Sequence, residues 1–231
     1  MVNKASSKAK PCIGVLMLNT RFPRYLGDIG NPHSFEGPVI HRVVETANVA
    51  NVVKSSVVSD ELLEDFISAS QSLIAEGADI ITTSCGFLFA AQDQLQSNLS
   101  CPVIASSLIV LPRLLGDGPG TEPVGVFTFD SDALSLHGLE NVDQERIVVA
   151  GLQNTEHFYP VIRNDEEVAN FDSMRSDVLS AARQFESSQL SAVVLECTNL
   201  SPYKKVLQAQ LGVPVYDLFD ALDQAVVNLD V

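Results

Sequence analysis

Two stretches of this chain, residues 60–85 and 172–197, repeat one another at a constant offset of 112 residues without a gap. A duplication of this kind dictates architecture before any local pattern does. The copies read DELLEDFISASQSLIAEGADIITTSC and DSMRSDVLSAARQFESSQLSAVVLEC. Each starts at Asp, runs through an apolar pattern of helical period, and ends in a short β-rich run closed by cysteine. In the first copy Leu62, Leu63, Phe66, Ile67, Ser70, Leu73 and Ile74 fall on one helix face, and Gly77 supplies the stop. The offset persists downstream, pairing Cys101-Pro102-Val103-Ile104 with Val213-Pro214-Val215-Tyr216. Upstream, Ile13-Gly14-Val15-Leu16 matches Val124-Gly125-Val126-Phe127 at an offset of 111. One further strand per half is expected near residues 50–58 and 146–150, outside the offset.

Apolar strands that do not alternate, separated by helical segments, indicate parallel sheets covered on both faces. The expected fold is therefore α/β. It consists of two similar, pseudosymmetric α/β domains, each a mainly parallel four-stranded sheet flanked by helices, with the active site in the cleft between them. The Pro/Gly-rich segment 112–123 has the composition of a connector. Residues 1–111 form the first domain and 112–217 the second. The apolar spacing of Leu218, Leu222, Ala225, Val226 and Leu229 makes 218–231 a helix that returns to the first domain.

The 231 residues carry 29 acidic and 14 basic side chains, a net charge of −15, which repels phosphate backbones and anionic lipid. Nucleic acid and membrane are excluded as partners on that ground. The apolar run 12–18 is too short to span a bilayer, and Lys4, Lys8 and Lys10 precede no secretory h-region, so a cytoplasmic location is expected. The four cysteines form no CxxC pair and no Cys/His group at zinc-ligand spacing, which argues against a disulfide scaffold and a metal site.

Two of those cysteines, Cys85 and Cys197, end equivalent strands of the repeat. In open parallel sheets ligands bind beyond the carboxyl ends of the strands. If the crevices of the two halves meet, the two thiols approach one ligand from opposite sides. Opposed acid/base groups are what inversion at carbon needs, one removing a proton while the other delivers one to the far face. A free thiol is about 3% thiolate at neutral pH, so both protonation states are within reach. Segments 86–95 and 199–211 are expected to begin helices whose amides favour a thiolate or a substrate carboxylate. Thr82-Thr83-Ser84-Cys85-Gly86 and Cys197-Thr198-Asn199 gather hydroxyl, amide and backbone donors there. Glu196, next to Cys197 on a strand, is expected to point away. In the loop 21–35, a possible lid, Arg21 is the better candidate for a carboxylate clamp and Arg24 is expected in a surface ion pair. His33, His41, His137 and His157 carry no ligand pattern and read as structural.

At TTSCGF and LECTN the sequence resembles the aspartate/glutamate racemase superfamily, which includes hydantoin racemase, maleate isomerase and arylmalonate decarboxylase. The resemblance extends over essentially the whole chain. It implies a thiol–thiolate pair at Cys85 and Cys197 working without pyridoxal phosphate, metal or other cofactor. By the same resemblance Thr83, Ser84, Gly86, Thr198 and Asn199 contact substrate, as does Asn19 of the Asn19-Thr20 step after the first strand, and Arg21 follows them. Cys85 is followed by Gly-Phe where glutamate racemases have Asn-Thr, and Cys197 by Thr-Asn, so the substrate stays open. The expected activity is racemisation or epimerisation of a small carboxylate, aspartate or glutamate foremost. Decarboxylation or cis–trans isomerisation of a dicarboxylate, hydantoin racemisation, and a non-enzymatic carboxylate-binding role remain alternatives. A homodimer is expected.

Overall fold

A computed structural model describes residues 10–54, 58–116 and 122–229. The chain forms two four-stranded, all-parallel sheets. The first contains β1 (Ile13–Leu18), β2 (Val39–Val44), β3 (Ile80–Thr83) and β4 (Val103–Ile104), in the order β2-β1-β3-β4. The second contains β5 (Val124–Thr128), β6 (Ile147–Gly151), β7 (Ala192–Leu195) and β8 (Val215–Tyr216), in the matching order β6-β5-β7-β8. The helices are α1 (Val49–Val52), α2 (Asp60–Ala75), α3 (Gln92–Asn98), α4 (Leu111–Leu115), α5 (Phe158–Arg163), α6 (Phe171–Ala181), α7 (Lys204–Leu211) and α8 (Leu218–Leu229).

The repeat is structural. β3 and β7, β4 and β8, and the 3-10 turns Gly86–Ala91 and Thr198–Tyr203 are each related by the 112-residue offset, and β1 begins 111 residues before β5. α2 starts where the sequence signals a start: Ser59 accepts the Leu62 N–H, Asp60 and Glu61 stand at the positive end of the helix dipole, and Gly77 follows the helix end at φ +100°. Its counterpart α6 is capped by Asn170.

The fourth strands differ from expectation in one half. β6 lies at the expected place, but β2 lies at Val39–Val44 and not at 50–58. Asn48 and Asn51 bond each other's backbone as a capping box and wind Val49–Val52 into α1, burying Val49 and Val52. Residues 55–57 lie outside the described residues, as do 117–121 of the expected connector. β2 is an edge strand with only Val44 buried, so His41 and Arg42 interrupt its apolar pattern.

Buried side chains of both sheets share the same clusters. Leu16, Phe66 and Leu88 of the first half pack in one cluster with Phe127, Phe158 and Tyr203 of the second. Ile13, Val15 and Ile80 pack in another with Val126 and Val194. α8 returns to pack on β4 and the turn at Ser107–Val110. In each sheet the strand order reverses beside the first strand, and ligands of such sheets bind outside that switch point. Residues that follow β3 and β7, on the switch-point sides of the two sheets, line one cavity. Among the described residues no helix is long and apolar enough to cross a membrane.

Candidate active site

β3 and β7 end two residues before the cysteines, and each cysteine stands immediately ahead of a 3-10 turn. The backbone N–H groups of Phe87 and Asn199, at the start of each turn, favour the thiolate of Cys85 and Cys197 respectively. The Cys197 thiol also lies 3.8 Å from Asn199 Oδ1. Both cysteines line one cavity with Leu18, Ser84, Gly86, Phe87 and Thr198. The cavity is about 30 Å³ and partly open to its surroundings.

The two thiol loops are clasped across the pseudo-twofold. Thr198 donates from Oγ1 to the Ser84 carbonyl at 2.8 Å, and Gly86, the counterpart of Thr198, backs onto the Glu196 carbonyl. A Cβ at Gly86 would strike Glu196 O and Oε1, so this position needs glycine for close approach. Ser107 donates to the Leu195 carbonyl at 2.6 Å and ties the halves again.

Of the expected site residues, Cys85, Cys197, Ser84, Gly86, Thr198 and Asn199 line the cavity, and Thr83, Asn19 and Arg21 do not. Thr83 is buried behind it, donating to the Ala105 carbonyl at 2.7 Å and accepting the Cys85 N–H at 3.3 Å. Asn19 donates to Glu45 Oε2 at 3.0 Å. Arg21 faces outward, pairing with Asp165 at 3.1 Å and Glu167 at 2.6 Å with its side chain 63% exposed. Of the two loop arginines, Arg24 and not Arg21 lines the cavity. Arg24 turns inward because Phe22 beneath it offers a ring face at 4.3 Å, and Asp28 and Thr20 take its guanidinium at 3.2 and 2.9 Å. Asp28, buried, also accepts from Asn199 Nδ2 at 2.6 Å and so joins the loop to the second thiol.

Glu196 is the residue that sequence reasoning misplaced. It is buried and lines the cavity. β7 ends at Leu195, so strand alternation no longer applies at position 196. The signal was present: the 112-residue offset equates Glu196 with Ser84. Their backbones bond alike, Ser84 N–H to Leu16 O and Glu196 N–H to Phe127 O, both at 2.9 Å. Their side chains occupy equivalent places, Ser84 Oγ accepting the Leu18 N–H at 3.0 Å, while Glu196 Oε2 accepts the Thr128 hydroxyl at 2.7 Å.

The electrostatics follow from burial. Desolvation pushes Glu196 up to about 7, and Thr128 and Phe129 only partly offset it. Burial and the neighbouring Glu196 charge push Cys85 up to about 12, against the Phe87 N–H and Arg24, which lower it. Cys197 is raised well above an ordinary thiol by burial, Glu196, Cys85 and Asp28. Both thiols are thus protonated at neutral pH in this geometry. Among the described residues no three His, Cys, Asp or Glu side chains gather as a metal-ligand group.

Paired α/β halves with a thiol from each at their junction define a class of protein. Allantoin racemase from Klebsiella pneumoniae shares this fold, with a TM-score of 0.61 over 95% of this chain and 87% of that one at 16% identity. The family model for Asp/Glu/hydantoin racemase matches residues 33–226, and the chain belongs to that family. It is 30% identical to dimethylsulfoniopropionate lyase 7 of Emiliania huxleyi over 220 residues, 90% of this chain and 64% of that protein. It is 29% identical to the dimethylsulfoniopropionate lyase of Durusdinium sp. clade D, over 91% of this chain and 72% of that one. The chain thus spans less than two thirds of the length of the first of these relatives.

Proposed function

We propose that this chain is a cofactor-independent lyase that removes the proton α to the carboxylate of a small β-sulfonio acid, of which dimethylsulfoniopropionate is the example. The observation that carries the reading is a cavity lined by both Cys85 and Cys197 in a chain 30% identical to a dimethylsulfoniopropionate lyase. Arg24 is the cation lining the cavity, and it holds the substrate carboxylate. A carboxylate held by a guanidinium acidifies its α-carbon by stabilising the charge that develops as the proton leaves.

One cysteine, as thiolate, takes that proton. The Cα electron pair forms the double bond to Cβ, the Cβ–S bond breaks, and its electrons leave with sulfur as dimethyl sulfide, giving acrylate. The proton on the first thiol returns to water, and the second thiol guards the opposite face.

Racemisation is the second reading, favoured by the near-equivalent placing of Cys85 and Cys197 at the two strand ends. The same first step serves it; a substrate with no leaving group at Cβ receives its proton back from the other thiol. Incubation in D₂O with dimethylsulfoniopropionate, L- and D-aspartate and glutamate, hydantoins and small dicarboxylates, followed by proton NMR, separates the two. Vinyl signals of acrylate are expected from the sulfonium acid. Loss of an α-hydrogen signal with inversion of an amino acid, and no acrylate, would replace the lyase reading with the racemase one.

A further inference from the structure

The cavity contains one polar atom that neither thiol chemistry nor the fold employs. Glu196 Oε2 is held by Thr128, but Oε1 is buried without a hydrogen-bond partner. An unpartnered buried carboxyl oxygen is uncommon and points to a missing partner. Arg24 does not supply it, being turned to Asp28, Thr20 and the Phe22 ring. In the first half the same slot holds Ser84, so the carboxyl is not required to close the fold there. Phe87 and Phe129 line the cavity beside Glu196, and Phe129 is held flat by stacking on Tyr159 at 4.5 Å.

We propose that the Glu196 carboxylate, with the rings of Phe87 and Phe129, forms a subsite for the cationic end of a zwitterionic substrate, while Arg24 takes its carboxylate. This rests on the cavity being the carboxylate-substrate site. A sulfonium or quaternary ammonium group has a spread positive charge and no strong N–H donors, and it is held by a carboxylate and aromatic faces together. The subsite also couples binding to thiol acidity. The Glu196 charge raises both Cys85 and Cys197, and a cation seated on it offsets that effect at both. A substrate bearing the cation thus eases formation of the thiolate that acts on it.

Calorimetric binding of two unreactive probes tests this: 3-(trimethylammonio)propanoate and 4,4-dimethylpentanoate, its isostere without the cationic centre, which share shape and carboxylate. Wild-type protein is expected to prefer the cationic probe by about tenfold or more. Glu196→Gln is expected to abolish the preference while leaving affinity for the isostere within about threefold. A second readout needs no variant. At pH 7 the cationic probe is expected to release roughly half a proton from Glu196, read from titrations in buffers of different ionisation enthalpy, and the isostere none. The other titratable or charged groups lining the cavity with Glu196 are Cys85, Cys197 and Arg24, and Asp28 lies behind Arg24; both thiols stay protonated at that pH.

A preference that survives Glu196→Gln, absent proton release, or equal binding of both probes overturns the subsite and leaves the lyase reading standing if dimethylsulfoniopropionate is still turned over. Binding of neither probe together with no turnover overturns both.

Discussion

Position 84 and position 196 are the same slot in two copies, and the difference between serine and glutamate there sets the character of the cavity. A serine hydroxyl loses little on burial once it accepts the Leu18 N–H, whereas a carboxylate in the same place loses most of its hydration. The sign of the stability effect follows. The folded pKa of Glu196, about 7, lies above its usual 4.5, so between those values the folded state holds more proton than the unfolded one, and stability falls as pH rises through that window. Glu196→Gln is therefore expected to stabilise the protein by roughly 3 kcal/mol at pH 8 and to make almost no difference at pH 4, measured by urea unfolding at both. At Gly86 the constraint is steric. Gly86→Ala drives a methyl into the Glu196 carbonyl and carboxyl, and a loss of roughly 2 kcal/mol or more is expected in the same unfolding assay. The sequence carried the thiols plainly, because their strand-end positions recur at the offset. It carried Glu196 only through the equivalence with Ser84, which strand alternation obscured.

Among the elements, the loop 21–35 has the largest consequence for access. It leaves β1, lays Phe22 and Arg24 over the cavity, and reaches the second half through Asp165, whose carboxylate accepts the Arg21 and Phe22 N–H groups at 2.5 and 3.3 Å. Tyr25 adds a bond to the Ala169 carbonyl at 3.1 Å. Asp165 sits at φ 55°, held there by these contacts. Asp165→Ala is expected to loosen the loop and speed reaction of Cys85 and Cys197 with a maleimide several-fold, with little change in melting temperature. Unchanged labelling would mean the loop is anchored elsewhere. Which arginine turned inward was not legible, because it depends on Asp28 and Phe22 as partners and on Asp165 outside. β2 escaped for a related reason: an edge strand exposes one face and breaks the apolar run with His41 and Arg42, while the more β-branched stretch after Asn48 winds into a helical turn.

At the scale of the whole molecule, the duplication explains why the chemistry lies where it does. Each half contributes a parallel sheet with a switch point, a strand ending just before a cysteine, and a turn that starts directly after it. Shared cores and the Thr198–Ser84 bond hold the two thiols toward one small space. Fold class and thiol pair were readable because periodicity and offset are properties of the sequence. The reaction class was not, since it depends on what else shares the cavity and on what a substrate would carry at Cβ.

The most direct test measures dimethyl sulfide released into the headspace from dimethylsulfoniopropionate by the wild type, Cys85→Ser and Cys197→Ser. The account predicts release by the wild type and a fall of roughly a thousandfold or more in the variant that lacks the base, with a substantial loss in the other. Release at the wild-type rate from both serine variants would contradict it.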